Sequence, residues 1–440
     1  MKITSLSLFN LRGFEFAEFT FNPQFNLIAG INGAGKSTVL DTIGACASHI
    51  HRQVQSVRIN PFGFDAEDIR FGSPFADATI YFSLDGHECR FTLREWREAV
   101  VRDDPANIER LRREILEIER PGERPRTLMR ELADTLSSPE PTLFNPPVAD
   151  MKGWAAQERS APLVMHFSTR RSMLTERDVE GSKTVAAKYP AYFNALRNSM
   201  LSIVQTADRM RAQRVQAAEH PPSRRAVELL EEAISTFLPQ FSNLRPSEEG
   251  PPRILIDYEG VTLDIRQLSD GERSVLVLIL DIARRLTQAN PTLEDPMREA
   301  EAVILIDEID LHLHPQWQRK IVGDLTRTFP NCQFIATTHS PQVIGEVAHE
   351  QIQMIDGDNV FVPSHSFGVD SSRVLEELMN TAPRNASVEG RLATIARLID
   401  AQKTEDARTA LKALAEEIGE SDPEVVRAKL LLDFLEGDDE

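Results

Sequence analysis

Eight consecutive residues, Gly30-Ile31-Asn32-Gly33-Ala34-Gly35-Lys36-Ser37, carry the most specific chemistry in this sequence. Glycines, a lysine and a hydroxyl at this spacing suit a loop that wraps phosphate oxygens. The glycines let backbone N–H groups turn inward, and the start of a following helix adds its positive end. Asn32, Gly33, Ala34 and Gly35 would surround the phosphates and Lys36 would contact the β- and γ-phosphates of ATP. Ser37 would hold Mg2+ through its hydroxyl, with Thr38 next in line. The flanks agree with this reading: residues 25–29 form an apolar strand before the loop, and residues 39–50 an apolar helix after it.

A second constellation lies far along the chain. Val303, Ile304, Leu305 and Ile306 predict a buried parallel strand, and Asp307 and Glu308 emerge at its C-terminal end. Open α/β sheets place their ligands at that end. Asp307 would bind Mg2+ directly or through water, and Glu308 would polarise an attacking water. An apolar strand ending in Asp-Glu is a weak signal alone and a strong one beside the phosphate loop. Between the two lies Leu268-Ser269-Asp270-Gly271-Glu272-Arg273, which by itself reads as a helix cap.

In this company the third segment resembles the LSGGQ signature of ABC ATPases, in the LSDGE form common in RecF- and SMC-like heads of the OLD-related AAA class. The resemblance implies that Ser269, Gly271 and Glu272 cap the γ-phosphate bound to an opposing subunit, so that two heads complete each site. A small hydroxyl, a close backbone and a helix N-terminus suit that task. Ile309-Asp310-Leu311-His312-Leu313-His314-Pro315 is similar to the family's D-loop, with Asp310 as its acidic residue. His339 in Thr338-His339-Ser340-Pro341 stands where the family's switch histidine senses the γ-phosphate. Asn10-Leu11-Arg12-Gly13-Phe14 resembles the opening of RecF and SMC heads, whose arginine approaches the nucleotide, here Arg12.

Other patterns have blander readings. The family's metal-sensing glutamine loop is expected near residues 68–73, where no glutamine stands. His312 and His314 form an HxH pair with no third ligand spaced to complete a metal set, so a structural role is expected. Asp356-Gly357-Asp358 has a nuclease-like DxD form but sits between two short strands and reads as a turn. Arg170 and Arg171 either face phosphate or pair with carboxylates.

These side chains need an α/β frame to position them. The expected fold is an ABC ATPase head, a phosphate-loop α/β domain with a mixed sheet and flanking helices, carrying a helical insertion and a helical C-terminal subdomain. Residues 1–95 and 252–365 make the head, 96–251 the mostly helical insertion with a core strand near 163–167, and 366–440 the tail. In detail, strands are expected over 2–9 and 19–29, and a hairpin around Asp85-Gly86. A helix from 107 to 119 is followed by a long loop rich in proline (Pro121, Pro125, Pro139, Pro141, Pro146, Pro147). Helices are expected through 185–250, broken at Pro221-Pro222, and over 316–329. Ala407, Ala410, Leu411, Leu414 and Ile418 share one helical face, and Asp422-Pro423 starts another helix.

Composition sets limits. Hydrophobic and charged fractions of 41% and 27% are those of an ordinary globular chain. Three unpaired cysteines suit a cytoplasmic location and no structural zinc. The N-terminus alternates like a strand rather than a signal peptide, and no run spans a bilayer, which leaves no membrane role. A net charge of −19 argues against an overall DNA-binding surface, though nucleic acid could still meet a local basic groove. The stretch between Lys36 and Ser269 is longer than in transporter heads and lacks the heptads of SMC proteins.

The wording of residues 366–379, Pro383-Arg384 and 398–424 is similar to bacterial anti-phage defence ATPases of the Septu (PtuA) type. That resemblance implies a homodimer or higher homo-oligomer through the heads and a separate HNH-type nuclease partner. The competing expectations are a RecF-like DNA-repair ATPase and an OLD-type nuclease. For the latter the tail is short and no Toprim domain is recognisable.

Overall fold

The computed structural model describes residues 1–55, 60–98, 102–117, 123–136, 142–145, 162–171, 174–175, 191–197, 201–219, 221–379, 381–382 and 384–437. Pro121, Pro139, Pro141, Pro146, Pro147 and Pro383, and the helical reading of 185–190, lie outside them. The chain divides into two compact units, Met1–Val369 and Asp370–Glu440. The division falls a little later than the sequence suggests. Ser366 is buried with its hydroxyl donating to the Val347 carbonyl at 2.6 Å, and Gly368 N–H donates to Gly345.

The first unit rests on two main sheets. Its strands are β1 (Lys2–Leu11), β2 (Phe14–Thr20), β3 (Phe25–Gly30), β4 (Phe75–Leu84), β5 (His87–Trp96), β6 (Thr142–Asn145), β7 (Val164–Phe167), β8 (Leu174–Thr175), β9 (Leu201–Ser202), β10 (Phe241–Pro246), β11 (Ile254–Tyr258), β12 (Val261–Asp264), β13 (Val303–Ile306), β14 (Gln333–Thr338), β15 (Ile352–Asp356) and β16 (Asn359–Phe361). One sheet is antiparallel, in the order β2-β1-β4-β5-β6. The core sheet runs β16-β15-β3-β14-β13-β7, parallel throughout except for β16. This is a mixed α/β fold, and β13 and β14 are buried along their whole length. Strands covered on both faces carry continuous apolar runs, which is why 303–306 reads so plainly.

Helix α1 (Lys36–Gln55) follows the phosphate loop, and Val39, Leu40, Ile43 and Ile50 on it are fully buried. Helices α2 (Pro105–Glu117) and α3 (Glu123–Thr135) pack Ile108, Leu111, Ile115, Met129 and Leu132 against Phe9, Phe16 and Phe75 of the antiparallel sheet. At roughly 1.5–3 kcal/mol per buried large side chain, this face ties the start of the insertion to the head. A buried Arg94–Asp77 pair at 2.8 Å lies on the same sheet, and Arg94 also donates to the Thr135 carbonyl. Helices α4 (Ile203–Glu219) and α5 (Pro221–Phe237) precede α6 (Asp270–Ala289), and α7 (Ile321–Thr328) precedes β14.

Several elements differ from the sequence reading. The run 19–29 is two strands, because Pro23 cannot donate to a ladder. Asn26 closes the turn, accepting from Asn22 N–H at 2.6 Å and donating to its carbonyl at 2.9 Å. The helical reading of 241–246 fails: Pro239 ends α5, and β10 pairs with β11. Residues 142–145 are a strand on the edge of the antiparallel sheet rather than loop. The helix over 316–329 breaks at Arg319–Lys320, where Gln318 turns back to donate to the Leu313 carbonyl and accept from Ser340. The Asp85-Gly86 hairpin forms with φ of 51° and 81°, the signature of a tight primed turn.

The second unit is a helical bundle of α8 (Ala386–Asp400), α9 (Thr404–Ile418) and α10 (Pro423–Gly437). Ile395, Ile399, Ala407, Leu411, Leu414, Val425 and Leu432 form its core. Asp422 caps α10, accepting from Glu424 N–H at 3.0 Å, and Pro423 occupies the first helical position.

Candidate functional site

Parallel strands deliver their following loops to one edge of a sheet. Here β3 delivers residues 30–36, β13 delivers Asp307 and Glu308, β14 delivers Thr338 and His339, and β7 delivers Ser168 to Arg171.

In the phosphate loop Asn32 and Gly33 are exposed, Ala34 and Gly35 half-buried, and Lys36 and Thr38 buried. Gly33 and Gly35 take φ of 81° and 96°, where side chains strain the backbone. The Lys36 ammonium donates to the carbonyls of Gly30 and Ile31, both at 2.9 Å. Burial lowers its pKa, opposed by the charges of Glu308, Asp307 and Asp310. The Ser37 hydroxyl lies 3.0 and 3.1 Å from the two Asp307 carboxylate oxygens.

The Asp307–Glu308 pair is held on every side. Asp307 N–H donates to the Phe167 carbonyl, and Thr337 Oγ1 donates to Asp307 Oδ1 at 2.6 Å while accepting from Glu308 N–H at 2.8 Å. Glu308 has φ of 48°, an uncommon conformation for a non-glycine residue. Arg171 takes neither of the partners expected for it, phosphate or a carboxylate, and binds backbone carbonyls instead. Its guanidinium is buried and donates to the backbone carbonyls of Asp307 at 2.6 Å and Glu308 at 2.7 Å. Burial pulls its pKa down to about 10 against the charges of Asp310, Asp307 and Glu308. Arg170 is exposed.

Around this centre, Asp310 is buried and accepts from Thr338 Oγ1 at 2.5 Å. His339 Nε2 stands 3.9 Å from Asp310 Oδ2, and the buried His339 Nδ1 has no hydrogen-bond partner among the described residues. Arg12, with φ of 49°, donates to Asp68 at 2.8 Å, Asp41 at 3.2 Å and Thr38 Oγ1 at 3.3 Å. Burial works against its charge, and Asp68 and Asp41 outweigh it, raising its pKa.

Ser269 is exposed and caps α6 in a reciprocal box with Glu272. Its hydroxyl donates to the Glu272 carboxylate at 2.7 Å, and Glu272 N–H donates back at 3.3 Å. A Cβ on Gly271 would stand 2.5 Å from the His312 carbonyl oxygen, so the signature helix and the D-loop of one chain touch. His314 caps the short helix Pro315–Gln318, and His312 sits at φ of 61°. Asp356-Gly357-Asp358 turns between β15 and β16, and Asp358 accepts from Glu15 N–H at 2.8 Å. Among the described residues no three His, Cys, Asp or Glu gather to hold a metal, and no helix is long and apolar enough to cross a membrane.

Two placements differ from expectation. Among the described residues, 68–73 make no hydrogen bond to Asp307 or Glu308 and pair instead with the β1–β2 turn. Arg12 N–H donates to Asp68, Arg70 N–H donates to Asn10, and Leu11 bridges Ile69. The loop that abuts Asp307 and Glu308 is instead the one after β7, because β7 is the neighbour of β13. Sequence reasoning also passed over Thr337, Thr338, Asp41 and Asp68. A threonine pair ending an otherwise apolar strand was the available signal for the first two.

Comparisons with known proteins agree with this geometry. A family model described as "AAA domain" matches residues 5–144, and one described as "AAA domain, putative AbiEii toxin, Type IV TA system" matches residues 210–345. "Retron Ec83 probable ATPase" of Escherichia coli is 28% identical over 98% of this chain and 86% of that one. "Retron Vc95 probable ATPase" of Vibrio cholerae serotype O1 biovar El Tor is 27% identical over 81% of this chain and 74% of its own. "Septu protein PtuA" of Bacillus mycoides (strain KBAB4) is 42% identical, over only 19% of this chain and 12% of its own. With two head segments matched separately by AAA-domain models and its motifs meeting at one sheet edge, the chain is similar to ABC-type AAA ATPases and resembles the Septu protein PtuA.

Proposed function

We propose that this chain binds and hydrolyses Mg–ATP at a site completed by a second copy, and that the cycle controls a separate nuclease in bacterial anti-phage defence. The observation that carries the catalytic part is the meeting of Ser37 and Asp307 within 3.1 Å, beside a buried Lys36. A hydroxyl and one carboxylate are hard oxygen donors of the kind that hold Mg2+ alongside phosphate oxygens. The metal, when bound, would neutralise charge on the transferring phosphate. Lys36 and the amides of residues 32–37 bind the phosphates, Arg12 approaches from the β1–β2 turn, and Glu308 takes the proton of the attacking water. Asp310 and His339 report the γ-phosphate state, and Ser269, Gly271 and Glu272 of a second copy close the site.

The defence role is supported by the similarity to two retron ATPases and to PtuA. An HNH-type nuclease is the partner that the PtuA resemblance implies.

The test is phosphate release and light-scattering mass with and without Mg–ATP, on wild type and Glu308→Gln. The variant should keep ATP and stay associated, since its metal and phosphate ligands remain. Turnover at the wild-type rate would remove Glu308 from the role. Purification of tagged Glu308→Gln from its native locus should bring down a nuclease in stoichiometric amount. Recovery of the chain with bound DNA alone would move the reading to RecF-like DNA maintenance.

A further inference from the structure

Glu308 presents an unusual problem of direction. Its φ of 48° is a left-handed conformation that costs about 1–3 kcal/mol and persists only where the surroundings enforce it. Among the described residues its carboxylate makes no hydrogen bond, and the Lys36 ammonium and Arg171 guanidinium act on it through charge. The hydrogen bonds that fix Glu308 are all to its backbone.

We infer that Arg171 is a positioning residue for hydrolysis: its guanidinium clasps the carbonyls of Asp307 and Glu308 and thereby holds Glu308 towards the attacking water. The inference rests on the reading of Glu308 above. The clasp is bidentate across two consecutive peptide groups, at 2.6 and 2.7 Å, and a planar fork with fixed donors fits that spacing. The other contacts of the pair leave this task open. Thr337 fixes Glu308 N–H and Asp307 Oδ1, and Phe167 fixes Asp307 N–H, but among the described residues the Glu308 carbonyl meets only Arg171 and Leu311 N–H. Arg171 is 2% exposed and three residues from its own anchor, the Ser168 carbonyl at the end of β7. The clasp therefore transmits the position of the β7 loop to the catalytic glutamate without touching nucleotide. In this chain it stands after β7, beside β13, and not at residues 68–73 where the family's metal-sensing glutamine was sought.

The experiment measures kcat, KM and ATP affinity for Arg171→Met and Arg171→Lys, each also in a Glu308→Gln background. Misplacement of a catalytic group by about 1 Å costs about 100-fold, so Arg171→Met should lose about that in kcat with KM and ATP affinity within about threefold. Arg171→Lys keeps the charge but cannot span both carbonyls, and should lose at least about tenfold. In the Glu308→Gln background Arg171→Met should cost almost nothing more, because the two residues act as a unit. Wild-type kcat in Arg171→Lys would show that charge alone suffices and overturn the inference. Equal losses with and without Glu308, or a loss confined to ATP affinity, would overturn it too. In each case Glu308→Gln keeps only a low residual turnover, read by single-turnover phosphate release, and the ATPase reading stands. If wild type itself releases no phosphate, both fall.

Discussion

The ring of Phe14 lies 2.6 Å from the position that a Cβ on Gly35 would occupy. The opening Asn10–Phe14 turn and the phosphate loop are thus one packed body. With Gly35 also at φ of 96°, Gly35→Ala meets both a clash and backbone strain. Strain of about 1–3 kcal/mol corresponds to a loss of about 5- to 150-fold in ATP affinity. Titration with a fluorescent ATP analogue reads this directly. Unchanged affinity would mean that the loop reshapes when it binds.

Ser269 is exposed and spends its hydroxyl on Glu272 in this single chain. Ser269→Arg should leave nucleotide binding by one chain intact, because the residue stands on α6, outside the phosphate loop. It should abolish ATP-driven association and lower turnover about 100-fold, the usual loss when a transition-state donor is removed. Sedimentation with Mg–ATP in the Glu308→Gln background checks it. Normal dimers would argue against a site shared between copies.

Stability of the signature helix hangs on Asp281. It is buried and accepts from Arg285 Nε at 2.8 Å and from Arg284, and Arg285 reaches on to the carbonyls of Ala191 and Phe193. Burial opposes the Asp281 charge, yet the two arginines hold its pKa down to about 2. Asp281→Asn strands a buried guanidinium, and breaking such a pair costs about 3–5 kcal/mol. Urea unfolding of the two proteins measures it, and a change within about 1 kcal/mol would show that water reaches the pair.

Acid should loosen the back of α1 before it reaches the carboxylates. His51 is fully buried, its Nε2 accepts from Val164 N–H at 3.2 Å, and burial pulls its pKa down to about 4 from an ordinary 6.5. The unfolded chain takes up a proton that the folded chain refuses, so stability falls as pH drops from about 6.5 towards about 4. His166 is pushed the same way by burial. His51→Gln keeps an acceptor and removes the titration, so its unfolding energy should vary less between about pH 7 and about pH 5. An identical slope would place the effect elsewhere.

The motifs were legible because each couples residue type to a local frame. Glycines demanding positive φ stood between an apolar strand and an apolar helix, and two carboxylates ended a buried strand. What the sequence concealed was adjacency. Arg171 precedes Asp307 by more than a hundred positions, and only the pairing of β7 with β13 brings them together. The metal-sensing loop was sought beside the wrong strand for the same reason. The 241–246 strand was hidden by helical neighbours, although Pro239 marked the end of α5. Thr142–Asn145 was overlooked because prolines surround it, and an edge strand tolerates such neighbours.

The place of β3 in the core sheet has a consequence for synthesis on the ribosome. It is among the first strands made, yet it sits between β14 and β15, which are among the last of the head. Phe25 to Gly30 must therefore wait for their strand partners until residue 356 has left the exit tunnel. Long-range parallel pairing of this kind is slow and leaves sticky surface exposed meanwhile. A nascent chain cut short before β15 would carry its phosphate loop on a strand with an open edge. The strand that carries the phosphate loop thus gains both of its neighbours only in chains translated through the whole head.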